Sequence, residues 1–251
     1  MLEFKNVSLK IGSKFILDSV SFKVPKGEIT ALIGRNGSGK SSLLSTANGL
    51  RKYNGEILLC GNDIRKFQKK EKAKLAAFLP QIMPDTSLSV YSLVALGRTP
   101  YTGGIGILSQ ADKEAIARAM ALTNTESLAL RHVSTLSGGE KRRVFLALLL
   151  AQETPLIILD EPTAHLDPSY SSELCSLLRH LCTEHGKTIL VVIHELTEAL
   201  NICDNAVLLE EGKQIFYGKK EDLLDTNKIE DVFGVKKYTA HDGEKIRIFF
   251  S

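Results

Sequence analysis

Gly34-Arg35-Asn36-Gly37-Ser38-Gly39-Lys40-Ser41 is the stretch on which the reading of this chain turns. It matches the pattern G-x-x-x-x-G-K-[ST]. It lies between Glu28–Ile33, an apolar run that reads as a strand buried on both faces, and Ser41–Leu50, which reads as a helix closed by Gly49 or the loop after it. Each part has a physical role in holding phosphate. The glycines let the backbone wrap close to an anion and aim its N–H groups inward. The helix start near Gly39 adds the positive end of its dipole. Lys40 brings an ammonium to the β- and γ-phosphates of a nucleotide, and Ser41 offers a hydroxyl to Mg²⁺. A chance glycine turn would need neither the strand before it nor the helix after it.

A second apolar strand, Leu156–Leu159, runs into Asp160 and Glu161. With a phosphate loop upstream, Asp160 at the strand end can hold Mg²⁺ through water, and Glu161 can orient or polarise an attacking water. The plainer alternative, a polar strand end, explains the acids but not their company.

The 251 residues suffice for one large α/β domain, or for such a domain with an inserted lobe. A composition of 43% hydrophobic and 24% charged residues reads as an ordinary globule. The net charge of +3, from 32 basic and 29 acidic residues, gives no electrostatic case for nucleic acid. The longest apolar run, Val144–Ala151, is far short of the roughly 18 residues of a membrane span. Met1–Asn6 lacks the basic start and apolar core of a signal peptide. The expectation is a cytoplasmic protein that meets a membrane only through a partner. Cys60, Cys175, Cys182 and Cys203 form no C-x-x-C pair and read as free thiols.

Outward from the loop, Leu2–Leu9 and Val20–Val24 alternate as half-buried strands, and Gly55–Gly61 encloses another. Lys66–Leu79 mixes a basic helix with the strand Ala76–Leu79. Helical spacing then dominates at Ser89–Gly97, Gln110–Leu122 and Gly139–Gln152, with a glycine-rich loop at Thr102–Gly106. After Leu159, helices at Ser171–His185 and Leu196–Cys203 flank the strand Thr188–Ile193, and a hairpin turns at Glu211–Gly212. The tail from Lys219 reads as a helix and a mixed segment. The predicted organisation is an α/β core over 1–83 and 153–218, a helical lobe over 84–152, and a tail over 219–251 packing on the core.

Leu136-Ser137-Gly138-Gly139-Glu140 narrows the assignment. Ser137 and Glu140 have the S-x-x-E spacing of a capping box, which would open a helix and leave N–H groups at its start for an anion. Capping does not require two consecutive glycines; these point to close approach of a ligand or a second backbone. The chain here resembles the ATP-binding subunits of ABC transporters, whose signature is LSGGQ or LSGGE. Gln81 after Leu79-Pro80 resembles the Q-loop glutamine. Glu161-Pro162-Thr163 with Leu166-Asp167 resembles the stretch from Walker B to the D-loop, and His194 after its strand resembles the switch histidine. The resemblance covers about Met1–Gly218.

It implies a P-loop NTPase core of ABC ATPase type, with an N-terminal antiparallel β subdomain and an inserted helical signature subdomain. It implies ATP and Mg²⁺, and a homodimer arranged head to tail. Gly34, Asn36, Gly37, Ser38, Gly39, Lys40, Ser41 and Ser42 of one copy would cradle the nucleotide. Ser137, Gly138 and Gly139 of the other copy would close on its γ-phosphate. Glu161 would be the catalytic base, His194 would sense the γ-phosphate, and Gln81 would touch Mg²⁺ or water. Glu161, His194, Lys40 and Gln81 are thus the catalytic set, and Ser41, Gln81 and Asp160 the metal set.

Three positions depart from the family pattern. Ile11 stands where an aromatic residue often stacks on adenine; the nearby Phe15 reads either as its substitute or as a core residue, and core is the favoured reading. Lys141-Arg142-Arg143 follows the signature where relatives often carry a glutamine in the middle, a change expected to alter a contact around the site more than the chemistry. Ser41-Ser42 replaces Ser-Thr and keeps the hydroxyl for Mg²⁺.

The chain has one ATPase unit, no membrane domain and no long heptads, which fits an importer subunit on the cytoplasmic side of the cell membrane. Its partners would be two membrane-spanning permease subunits and a separate substrate-binding protein. Ser92–Tyr101 resembles the ALGRxP segment of subunits that energise uptake of iron–siderophores, haem and cobalamin. As plain chemistry it is an amphipathic helix ended by Gly97, which leaves Arg98 unexplained. A permease helix is expected to dock between Gln81 and about Tyr101, with Phe78, Met83 and Tyr91 as candidates for its groove. The alternatives are an importer subunit for another solute such as a free metal ion, a soluble ABC ATPase acting on nucleic acid or ribosomes, and a regulator without turnover. The small net charge disfavours the second, and intact Lys40, Asp160, Glu161 and His194 disfavour the third.

Overall fold

The computed structural model describes residues 1–102, 107–164, 167–242 and 245–250. The chain divides into two compact units, Met1–Lys66 with Leu178–Ser251, and Phe67–Leu177.

The first unit opens with β1 (Leu2–Ile11), β2 (Lys14–Val24), β3 (Ile29–Ile33), α1 (Lys40–Ala47), β4 (Asn54–Leu59) and β5 (Asn62–Asp63). Strands in the order β2-β1-β4-β5 form an antiparallel sheet. The alternation in β1 buries Leu2 and Phe4, then Val7 and Leu9. That slip of one residue coincides with a register shift between Phe4 and Val7, where Asn6 takes φ 48°. An extra residue in one strand is what moves side chains to the opposite face.

The second unit contains α2 (Lys69–Leu75), β6 (Ala76–Leu79), α3 (Val90–Ala95), α4 (Thr99–Thr102), α5 (Gln110–Leu122), α6 (Gly138–Ala151), β7 (Leu156–Asp160) and the first part of α7 (Pro168–Thr183). β6 and β7 pair in parallel, Ala76 with Leu156 through Leu79 with Leu159. The apolar run expected to form a buried helix is α6, which packs against α3 and α5 and buries Val144, Phe145, Leu146, Ala147, Leu149 and Leu150. Of the foreseen loop Thr102–Gly106, residues 103–106 lie outside the described residues, as does Leu166.

The first unit resumes with β8 (Thr188–Val192), α8 (Leu196–Ile202), β9 (Asn205–Glu210), β10 (Lys213–Lys219), α9 (Lys220–Leu224), α10 (Lys228–Phe233), β11 (Lys237–Asp242) and β12 (Lys245–Phe250). Its strands run β10-β9-β3-β8, with β3 parallel to both neighbours and β10 antiparallel to β9. Every residue of β3 is buried, as a strand between two parallel neighbours requires. The hairpin at Glu211–Gly212 is present, with φ of 45° and 81° at the two turn residues, the left-handed pair that a two-residue turn needs. The tail departs from its reading as a helix and a mixed segment. It forms two short helices that bury Leu223, Ile229 and Val232, and an antiparallel hairpin, β11–β12, whose second strand runs alongside α8.

Candidate functional site

In the first unit, the chain leaves β3 directly into the glycine loop. A Cβ at Gly34 would lie 2.3 Å from Leu209 O and 2.6 Å from Ser38 Oγ, so no larger residue fits. Gly39 has φ 103°, and a Cβ there would lie 2.8 Å from Ile16 O. Gly39 is the N-cap of α1, which has no side-chain cap bond and no acidic residue in its first turn. The start of α1 thus presents the positive end of its dipole with no acid beside it, which suits an anion. Lys40 is buried and its Nζ donates to Gly34 O at 2.7 Å and Arg35 O at 3.0 Å. Ser38 Oγ is buried with no hydrogen-bond partner among the described residues. A buried orphan hydroxyl in such a loop suits a phosphate oxygen. Ser41 and Ser42 stand half-buried in the first turn of α1, and Asn36 and Gly37 are exposed.

The β9–β10 turn braces this loop: Gly212 N donates to Ser38 O at 3.1 Å, and Asp18 N donates to Gly212 O at 2.9 Å. Beside the loop lies a groove of about 710 Å³ whose lining includes Phe15, Arg35, Asn36 and Glu211. Phe15 is 54% exposed, with Lys10 Nζ 5.2 Å from its ring centroid. The core reading of Phe15 is thus corrected. It lies beside the turn of the β1–β2 hairpin, paired with Lys10, and is left exposed there. An exposed aromatic face beside a phosphate loop suits a purine. His194, after β8, is exposed, with Nδ1 3.8 Å from Glu195 Oε1.

In the second unit, β7 ends at the buried Asp160. Glu161 follows with φ 50°, a left-handed conformation that is costly for a residue with a side chain. Gln81 Nε2 donates to Glu161 Oε2 at 2.6 Å, so two residues 80 positions apart in the chain meet. Ser137 and Glu140 form the foreseen capping box. Ser137 Oγ accepts from Glu140 N at 3.3 Å, and Glu140 Oε2 accepts from Ser137 N at 2.8 Å. The backbone amide and the hydroxyl of Ser137, with help from the Arg131 guanidinium, hold the Glu140 carboxyl below its usual range. Ser137 and Gly138 are exposed, and a Cβ at Gly138 would meet nothing within 4 Å. Among the described residues, nothing requires glycine at that position.

The segment Leu96-Gly97-Arg98 is an internal fastening. A Cβ at Gly97 would lie 2.3 Å from Leu148 O, so α6 passes too close for any other residue. Arg98 is buried; Nε donates to Asp112 Oδ1 at 2.9 Å, and Nη1 donates to Ala151 O at 2.7 Å and Glu153 Oε2 at 2.9 Å. Breaking such a pair from one side costs about 3–5 kcal/mol. Packing therefore explains the arginine that a helix end alone left over. Ile82, Leu88, Tyr91, Leu96 and Tyr101 are exposed in the same unit, while Phe78 and Met83 are half-buried.

Two participants escaped the sequence. Gly212 braces the loop at Ser38 from far along the chain. Arg142 donates to backbone carbonyls of Glu161, Pro162 and Ala164. Its only signal was its departure from the family's glutamine. Among the described residues, no helix is long and apolar enough to cross a membrane.

Residues 17–164 match the family model described as ABC transporter. The chain is 40% identical to a petrobactin import ATP-binding protein of Bacillus anthracis, over 96% of this chain and 89% of that one. It is 37% identical to the iron(3+)-hydroxamate import ATP-binding protein of Bacillus subtilis, over 93% and 88%. Its fold superposes with a TM-score of 0.85 on an inward-facing transporter assigned to the metal-chelate type, at 25% identity, covering 100% of this chain and 96% of that one.

Proposed function

Because the chain belongs to the ABC transporter family as one of its ATP-binding, ATP-hydrolysing subunits, we propose that its turnover drives import of an iron(III)–siderophore chelate. The similarity to the petrobactin import protein over nearly the whole length of both chains carries this reading. Family members of this kind act as dimers with membrane permeases. Here that means a homodimer beneath two permease subunits at the cytoplasmic face, served by a separate substrate-binding protein. The exposed apolar side chains from Ile82 to Tyr101 are the surface offered to a permease helix. The division of labour is a core over 1–83 and 153–218, a signature subdomain over 84–152 and a tail over 219–251.

The roles follow from the chemistry of each group. The loop amides and Lys40 bind the phosphates, and Phe15 offers its face to the base. The hydroxyl of Ser41, the carboxylate of Asp160 and the side-chain oxygen of Gln81 are hard donors, few in number, as suits Mg²⁺ that also takes phosphate oxygens. Bound Mg²⁺ neutralises phosphate charge. Glu161 takes the proton of the attacking water, and His194 holds the γ-phosphate. Ser137, Gly138 and Gly139 of a second copy complete the site.

In proteoliposomes containing the permeases, this subunit's ATPase rate should rise when the binding protein carries an iron(III)–siderophore. A rate that responds only to a free metal ion or another solute would remove the chelate reading.

A further inference from the structure

We propose that Arg142 is a positioning residue for Glu161, and that its guanidinium carries the placement of the signature helix to the backbone of the catalytic acid. The proposal rests on reading Glu161 as the base. Arg142 lies on α6, the helix that Ser137 and Glu140 cap. Its Nη1 donates to Glu161 O at 3.0 Å, to Pro162 O at 3.1 Å and to Ala164 O, and its Nη2 points to Gln81 O at 3.5 Å. One planar group thus gathers the carbonyls of the turn leaving β7. All three turn carbonyls converge on Nη1, so an ammonium could reach them with its one nitrogen but would have no second nitrogen to face Gln81 O.

The strained residue lies in this turn. Glu161 holds φ 50°, and such a conformation persists only where the surroundings over-determine it. Arg142 grips its carbonyl, and Gln81 grips its carboxylate. The two grips are themselves adjacent through Gln81 O. Ser137 and Arg142 ride on one helix, so a shift of the signature end moves the guanidinium with it. The end that closes on a second copy's nucleotide therefore sets the acid that serves this chain's own nucleotide. A glutamine at position 142 offers only one amide nitrogen in place of the fork.

The test compares Arg142→Gln, Arg142→Lys and Arg142→Ala in the full-length chain. In Arg142→Ala, kcat should fall about 100-fold, the usual cost of a misplaced catalytic group, while KM and equilibrium ATP binding stay within about two-fold. The glutamine and lysine variants should retain intermediate rates. Millimolar guanidinium should restore part of the alanine variant's kcat, which it would not do for a general packing defect. Three outcomes would overturn the proposal: an alanine variant at half the wild-type kcat or more, ATP binding lost together with kcat, or no rescue by guanidinium. If the alanine variant does not fold, Arg142→Gln is read against the same rate and binding criteria. Glu161→Gln, measured alongside, separates the two claims. Normal turnover by Glu161→Gln removes the base reading, whereas an inactive Glu161→Gln beside fully active Arg142 variants removes only the role of Arg142.

Discussion

The helices α1 and α6 both have a glycine at their start, Gly39 as the N-cap of α1 and Gly138 as the first residue of α6, yet their first turns are finished in opposite ways. At α1 the N-cap is Gly39, no side chain caps the amides, and no acid stands in the first turn. Lys40 and the orphan Ser38 Oγ add a cation and an unpaired hydroxyl. At α6 the capping box engages the amides of Ser137 and Glu140, and a carboxylate already occupies the positive end of the dipole. The expectation of free N–H groups at α6 is thus only partly met. The difference separates a cradle from a lid. In the proposed function, the α1 end holds a nucleotide's phosphates with its own residues. The α6 end presents an exposed edge, Ser137–Gly138, which the proposed function gives to a second copy's nucleotide.

The sharpest way to break this contrast is Lys40→Ala. Losing a charge-assisted contact of about 3 kcal/mol should weaken ATP binding about 100-fold by calorimetry. Ser137→Ala should leave binding to a monomer unchanged and slow only turnover. Equal losses of monomer binding in both variants would erase the distinction. The glycines refine it. Gly34→Ala forces a Cβ against Leu209 O and should lower the melting temperature by several degrees, as about 1–3 kcal/mol of overpacking does. Gly138→Ala enters open space and should melt within about one degree of wild type while reducing ATPase turnover. A drop in Tm at Gly138→Ala would mean that the edge is structural.

The smallest effect concerns the cap. Glu140→Gln should cost about 0.5–1 kcal/mol at neutral pH. The folded-state pKa of Glu140 is lowered, so its contribution is present above the ordinary value of 4.5 and lost as pH falls through the lower folded value. Urea melts of the two proteins should therefore converge below about pH 4.5. A constant gap down to lower pH would show that the carboxylate's charge plays no part in the cap.

Sequence alone determined what lies within a few residues of itself. The glycine loop between strand and helix, the box from Ser137 to Glu140 and the left-handed turn at Glu211–Gly212 are each set by neighbours along the chain, because caps and tight turns close their hydrogen bonds over two to four residues. The tertiary structure decided what depends on distant partners. Phe15 could by sequence be core or a base-stacking residue, and its exposure beside the hairpin turn decides against the core. Arg98 finds Asp112, Ala151 and Glu153 across packed helices, and Arg142 finds the turn that carries Glu161. No periodicity encodes these meetings. A guanidinium's burial is decided by which carbonyls and carboxylates the fold brings within reach, and that is settled only once α5, α6 and β7 have packed.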